Sequence, residues 1–135
     1  MPSSTRYYFK KADKLKSRKQ IDMLFRQGRH FSVFPFKVTW LPANAAANLQ
    51  AGVGVSSRHF KRAVDRNRIK RLMRESYRLQ KNELQQYLRE KDKRLSVFLI
   101  YTGNEIPHYE TVFEKLGIIL HRLKKLSDEN DTPAV

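Results

Sequence analysis

The chain has 135 residues, a length that suits one domain. Lysine and arginine number 28 against 13 acids, giving a formal charge of +15, and 40% of residues are hydrophobic. That hydrophobic share excludes a fully disordered basic tail, and the lack of cysteine excludes disulfides, thiolate metal sites and a cysteine nucleophile. No apolar run approaches the roughly 20 residues of a membrane span, and no apolar stretch follows the charged N-terminus as in a secretory signal. The expectation is a cytoplasmic basic domain whose natural partner is a polyanion. Nucleic acid is the first candidate and an anionic membrane surface the second.

In chain order, residues 1–12 carry Tyr7, Tyr8 and Phe9 without a clear period and read as a flexible arm. Ser17-Arg18-Lys19-Gln20 reads as a capping box. Ile21, Leu24 and Phe25 continue it as an amphipathic helix to Gln27, with Gly28 as the stop. Phe31 to Leu41 alternates as one strand, with Pro35 at an edge or bulge. Gln50 to Val55 is a second strand, with Val53 and Val55 on one face. Gly52 and Gly54 on the other leave room for a backbone or ligand, unless the strand simply packs under a helix. Asp65 or a neighbour caps a long helix over Arg66–Arg89. Leu95–Tyr101 is a buried strand, and a last helix begins near Pro107. Residues 127–135 form an acidic disordered tail, leaving 13–126 as a single domain. The order helix, strands, helix, strand, helix predicts an α+β fold, a two-layer α/β sandwich.

The segment Arg58 to Arg78 holds nine cations and two acids. At about 100° per residue, Ile69, Leu72, Met73, Ser76 and Gln80 fall on one side of a helix. Asn67, Lys70, Arg71, Arg74 and Arg78 fall on the other, with Arg68 on a flank. Successive turns advance about 5.4 Å, near the spacing of neighbouring phosphates. Arginine adds bidentate donors, and Arg66 and Arg68 flank Asn67 near a helix start, where free N–H groups favour phosphate. Too few acids are present to pair this row internally, so a merely solvated face is the weaker reading.

Arg66-Asn67-Arg68-Ile69-Lys70-Arg71-Leu72-Met73-Arg74 resembles the signature of the bacterial ribonuclease P protein subunit. Gly52-Val53-Gly54-Val55-Ser56 before it, Arg58 and Arg62-Ala63-Val64 in the connection, Lys14-Leu15-Lys16, and Phe25-Arg26-Gln27-Gly28 agree with that family. The resemblance covers about residues 10–126. It implies about four strands, three helices and a left-handed βαβ crossover. It also implies a protein that binds a large catalytic RNA and the 5′ leader of precursor tRNA. The RNA, with Mg²⁺, does the hydrolysis, and the protein improves substrate binding and lowers the metal requirement.

The resemblance assigns Arg58, Lys61, Arg62, Arg66, Asn67, Arg68, Lys70, Arg71, Arg74 and Arg78 to RNA binding. It assigns Lys14, Ile21, Phe25, Lys37 and Thr39 to a leader cleft between the first helix and the sheet. Phe25 can also be read as a plain core residue. The pattern departs at Ile21, where a second aromatic is common, and at Thr39, near a frequent tyrosine. It departs again at Ser57 and at Tyr101-Thr102-Gly103, which replace basic residues. Lys37 and Trp40 are the neighbours able to compensate.

His30, His59, His108 and His121 are isolated, and the acids form no compact pair, so no protein-borne active site is expected. The partners expected are ribonuclease P RNA and precursor tRNA, with no membrane and a monomeric state outside the RNA complex. A structural RNA-binding protein would lack leader preference, and a self-contained nuclease would cleave without RNA. A DNA-binding helix module is the weaker reading, because this sequence lacks a second helix at helix-turn-helix distance. Arg66→Ala and Arg68→Ala are both expected to weaken RNA binding without unfolding. Leu72→Ala is expected to cost about 2–5 kcal/mol if that side chain is fully buried.

Overall fold

The computed structural model describes Lys14, residues 18–42 and residues 48–130. The arm of residues 1–12 and the Ser17 cap lie outside the described residues. Helix α1, Arg18–Gln27, buries Leu24. It ends at Gly28, whose N–H donates to the Leu24 carbonyl at 2.8 Å. A Cβ at residue 28 would collide with that same oxygen, so only glycine lets the chain turn off the helix here.

The strand expected over Phe31–Leu41 is instead a hairpin. Strand β1, Arg29–Val33, pairs antiparallel with β2, Phe36–Pro42. Phe34 and Pro35 make the turn, joined by a cis peptide bond. Proline has no N–H for the ladder and a fixed φ, so it interrupts a run whose alternation otherwise continues unbroken. Its carbonyl accepts from the Thr102 N–H at 2.8 Å and the Thr102 hydroxyl at 3.0 Å.

Strand β3 is Leu49–Val55, helix α2 is Ala63–Glu90, strand β4 is Leu95–Tyr101 and helix α3 is Tyr109–Asn130. Two expected boundaries move. Helix α2 starts three residues early: Arg62 is the N-cap without a side-chain cap, and Asp65 sits in the first turn, where its charge suits the helix dipole. Helix α3 continues past Leu126, and Ser127 is buried, so residues 127–130 belong to the fold rather than to a tail.

The sheet order is β1-β2-β4-β3. Strands β2 and β4 are antiparallel, while β3 and β4 are parallel, with α2 crossing between them. Strand alternation divides the sheet. Phe36, Val38, Trp40, Leu49, Ala51, Val97 and Leu99 point to the core beneath α2 and α3. Ile69, Met73, Tyr77, Leu116, Ile119 and Leu123 meet them from the helices. Helix α1 covers part of the opposite face. This arrangement leaves the outer side of α2 in solvent.

Candidate nucleic-acid interface

The helical phase expected for α2 is the observed one. Ile69, Met73 and Ser76 are buried, and Leu72 and Gln80 are partly buried. Asn67, Arg68, Arg71 and Arg74 are exposed, while Lys70 and Arg78 are partly so. Asn67 to Arg78 spans about 16 Å of helix, which sets the length of the row. Among the described residues, Arg68, Lys70, Arg71 and Arg74 make no ion pair. Arg58, Lys61 and Arg62 are exposed on the loop leading into the helix. The nearest Arg62–Asp65 approach is a loose 3.9 Å.

Two residues of the expected set are already occupied. The Arg66 guanidinium turns back, donating from Nη1 to the carbonyls of Phe60 at 2.8 Å and Lys61 at 2.7 Å. It therefore clamps the approach loop from inside the helix. Arg78 forks onto Glu75, with Nη2 at 2.6 Å and Nε at 3.3 Å from the two carboxylate oxygens. These hydrogen bonds hold the Glu75 carboxyl below its ordinary pKa and raise that of Arg78. The cationic row thus loses strength toward Arg78.

Tyr101 holds the same part of the loop through the Phe60 side chain. Its ring packs edge-on against Phe36 at 5.4 Å and tilted against Phe60 at 6.2 Å. Its hydroxyl donates to the Glu105 carbonyl at 2.6 Å. Burial, followed by the nearby Glu105 charge, pushes the Tyr101 pKa up.

On the other face of the sheet, the register fixes what sequence leaves open. Lys37 pairs with Ile100, and Thr39 with Phe98, so both point toward the α1 side. Phe25 on α1 is 39% exposed and meets Phe98 edge-on at 5.3 Å. A Cβ at Gly54 would lie 3.0 Å from the Phe98 ring, so that side chain fills the room the glycine leaves. Phe25, Lys37, Gly54, Phe98 and Ile100 therefore form a partly open surface beside α1. Ile21 is half-buried on the same helix, and Lys14 makes an isolated parallel bridge to Ala51 beside β3.

Two expectations fail there. Thr39 is only 4% exposed, its hydroxyl sharing a 2.9 Å hydrogen bond with His30 Nδ1, so it is covered rather than open. Trp40 alternates to the opposite face and is buried in the core, so it cannot compensate on the cleft side. Phe98 and Ile100 are the residues that sequence reading misses. Their strand is one apolar run, which hides which side chains face α1. Lys81 is also missed. It is 2% exposed on α2, its ammonium donating to Gln85 Oε1 at 3.1 Å.

A family model described as Ribonuclease P matches residues 9–124. The ribonuclease P protein component of Porphyromonas gingivalis is 34% identical over 114 residues, covering 83% of each chain. That of Erwinia tasmaniensis is 54% identical over 41 residues, 30% of this chain and 34% of its own. Among solved structures, the RNase P protein of Staphylococcus aureus superposes with a TM-score of 0.69 at 20% identity, over 84% of this chain and 97% of that one. The RNase P protein of Thermotoga maritima gives 0.61 at 24% identity, over 81% and 96%.

Proposed function

The chain belongs to the ribonuclease P protein family, and we propose on that footing that it binds the family's catalytic RNA and helps it remove the 5′ leader of precursor tRNA. The observation that carries this reading is the exposed row Asn67, Arg68, Arg71 and Arg74, rigid on α2 and lacking acidic partners among the described residues. Such a row offers phosphates bidentate, fixed donors, while the core side of the same helix holds it in place. Arg58, Lys61 and Arg62 extend the same field at the helix entrance.

The surface beside α1 suits an unpaired strand. Phe25 presents a half-exposed aromatic edge, and Lys37 adds a charge on the same side of the sheet. Stacking of a leader base on such a ring is worth about 1–3 kcal/mol. In this reading Mg²⁺ would be held by the RNA, where it would supply an activated water and leaving-group stabilisation. Among the described residues, no three histidine or acidic side chains gather as ligands. The protein's own part is to position RNA, and the working complex is one copy of the chain on its RNA. No helix among the described residues is long and apolar enough to cross a membrane; the site of action proposed is the cytoplasm.

The test is cleavage of a 5′-extended precursor tRNA at low Mg²⁺, with a bacterial-type ribonuclease P RNA, with and without the protein. Cleavage at the mature 5′ end only with both present is expected. Equal cleavage with and without folded protein would shift the reading to a structural RNA-binding role. Cleavage by protein alone would reveal an active site in the chain.

A further inference from the structure

Among the described residues, the most exposed large apolar side chain is Phe34, at 79%. It is not a loose loop residue. Pro35 beside it is buried, and the Pro35 carbonyl is held by both donors of Thr102. A bare aromatic on a pinned turn costs solubility and gains nothing from the core, so its position matters. Phe36, Tyr101 and Val55 pair in one row across β2, β4 and β3. The Phe34 turn projects beyond that row at β2, and Ser56 to Arg62 projects beyond it at β3. Two strand spacings, about 10 Å, separate the two projections, with the exit of β4 between them. Tyr101 packs between them, against Phe36 on one side and Phe60 on the other.

We propose that Phe34 stacks on an unpaired base of the catalytic RNA, extending the α2 interface across the end of the sheet. This rests on the RNA-binding reading above. The occupant proposed is nucleic acid rather than a protein because the Ser56 to Arg62 projection at this same sheet end, one strand beyond the β4 exit and its exposed Glu105, carries Arg58, Lys61 and Arg62, all exposed and together outweighing that acid. A ring on the same sheet end as such cations can meet a base by its face while the cations meet phosphates farther along the strand.

The experiment titrates ribonuclease P RNA into the parent, Phe34→Ala, Phe34→Leu and Phe34→Trp proteins, with thermal melts alongside. Phe34→Ala should weaken binding roughly 5- to 150-fold, with an unchanged melt and an unchanged salt slope. Phe34→Trp should bind like the parent, and its added indole emission should be quenched by RNA alone; the chain's single tryptophan, Trp40, is buried and supplies the background. Unchanged affinity in Phe34→Ala overturns the proposal. So does full affinity in Phe34→Leu, which would mean plain apolar contact. Quenching that requires precursor tRNA would move the contact to the leader and overturn the assignment to the catalytic RNA. Failure of the parent to bind RNA would instead overturn the functional reading beneath it.

Discussion

Replacing Arg66 should separate two roles that its neighbours in the signature do not share. Arg68 is exposed, and truncating it removes a charge from the surface. Arg66 donates from one guanidinium nitrogen to two loop carbonyls, of which Phe60's is partly buried and Lys61's exposed. A hydrogen bond to a charged group contributes about 1.5–3 kcal/mol, but the exposed carbonyl recovers water when released. Arg66→Ala should therefore cost about 1–2 kcal/mol, and Arg68→Ala no more than about 0.5 kcal/mol. For a domain of this size the first corresponds to a fall in Tm of roughly 4–8 °C.

Loss of the clamp also frees the segment that carries Arg58, Lys61 and Arg62. Amide exchange over residues 58–62 should quicken in Arg66→Ala and stay at the parent rate in Arg68→Ala. Arg66→Lys should keep the salt slope of RNA binding while losing part of the Tm. Equal melts for Arg66→Ala and Arg68→Ala would refute the clamp. They would return Arg66 to the purely RNA-facing role that the signature alone suggests.

Three further outcomes follow from burial and pairing. Met73→Ala should cost about 2–5 kcal/mol in denaturant unfolding, because Met73 is fully buried, whereas Leu72→Ala should cost less, that side chain being only partly buried. Phe25→Ala should raise KM for leader-bearing precursor tRNA several-fold, with little change for a substrate whose leader is a single nucleotide. An equal effect on both substrates would place Phe25 in the core role instead. Tyr101 has a folded pKa above its unfolded value, so the neutral phenol is favoured by folding. That stability is complete below the unfolded tyrosine pKa and is lost as pH rises through the raised one, so alkaline unfolding should be blunted in Tyr101→Phe.

Helix α2 was legible because its period is strong and its two faces differ in charge as well as hydropathy. The same reading misplaced its start, since no side chain caps it and Asp65 imitates a cap from the first turn. The β1–β2 hairpin was hidden because alternation runs through Pro35, and a proline can mean an edge, a bulge or a turn. The cleft side of the sheet was legible only in part. Phe25 and Lys37 carry local signals, but Phe98 and Ile100 acquire theirs from register, a pairing between segments some sixty residues apart. The Glu75–Arg78 pair was within reach of sequence, being an i,i+3 contact on a known helix. The fold of Arg66 onto loop carbonyls was not, because nothing local distinguishes it from Arg68.

Net charge overstates the interface, and the salt dependence of binding should show by how much. Many of the cations work inside the fold. Arg29 lies over the Trp40 ring and Arg122 over Phe31, at 5.6 and 4.7 Å from the ring centres. Lys93 donates to the Ser127 carbonyl at the end of α3, at 2.6 Å. Lys124 sits between Glu83 and the Tyr87 ring. Arg66 and Arg78 are engaged as described. What remains at the α2 end is Arg58, Lys61, Arg62, Arg68, Lys70, Arg71 and Arg74. If five to seven of these each displace a counterion, log K should fall with log salt at a slope of about 4–6. A slope near the whole formal charge of +15 would mean that the RNA wraps the protein and that α2 is not a discrete binding edge. A slope near 1 would mean that the row faces water in the complex, and would refute the interface itself.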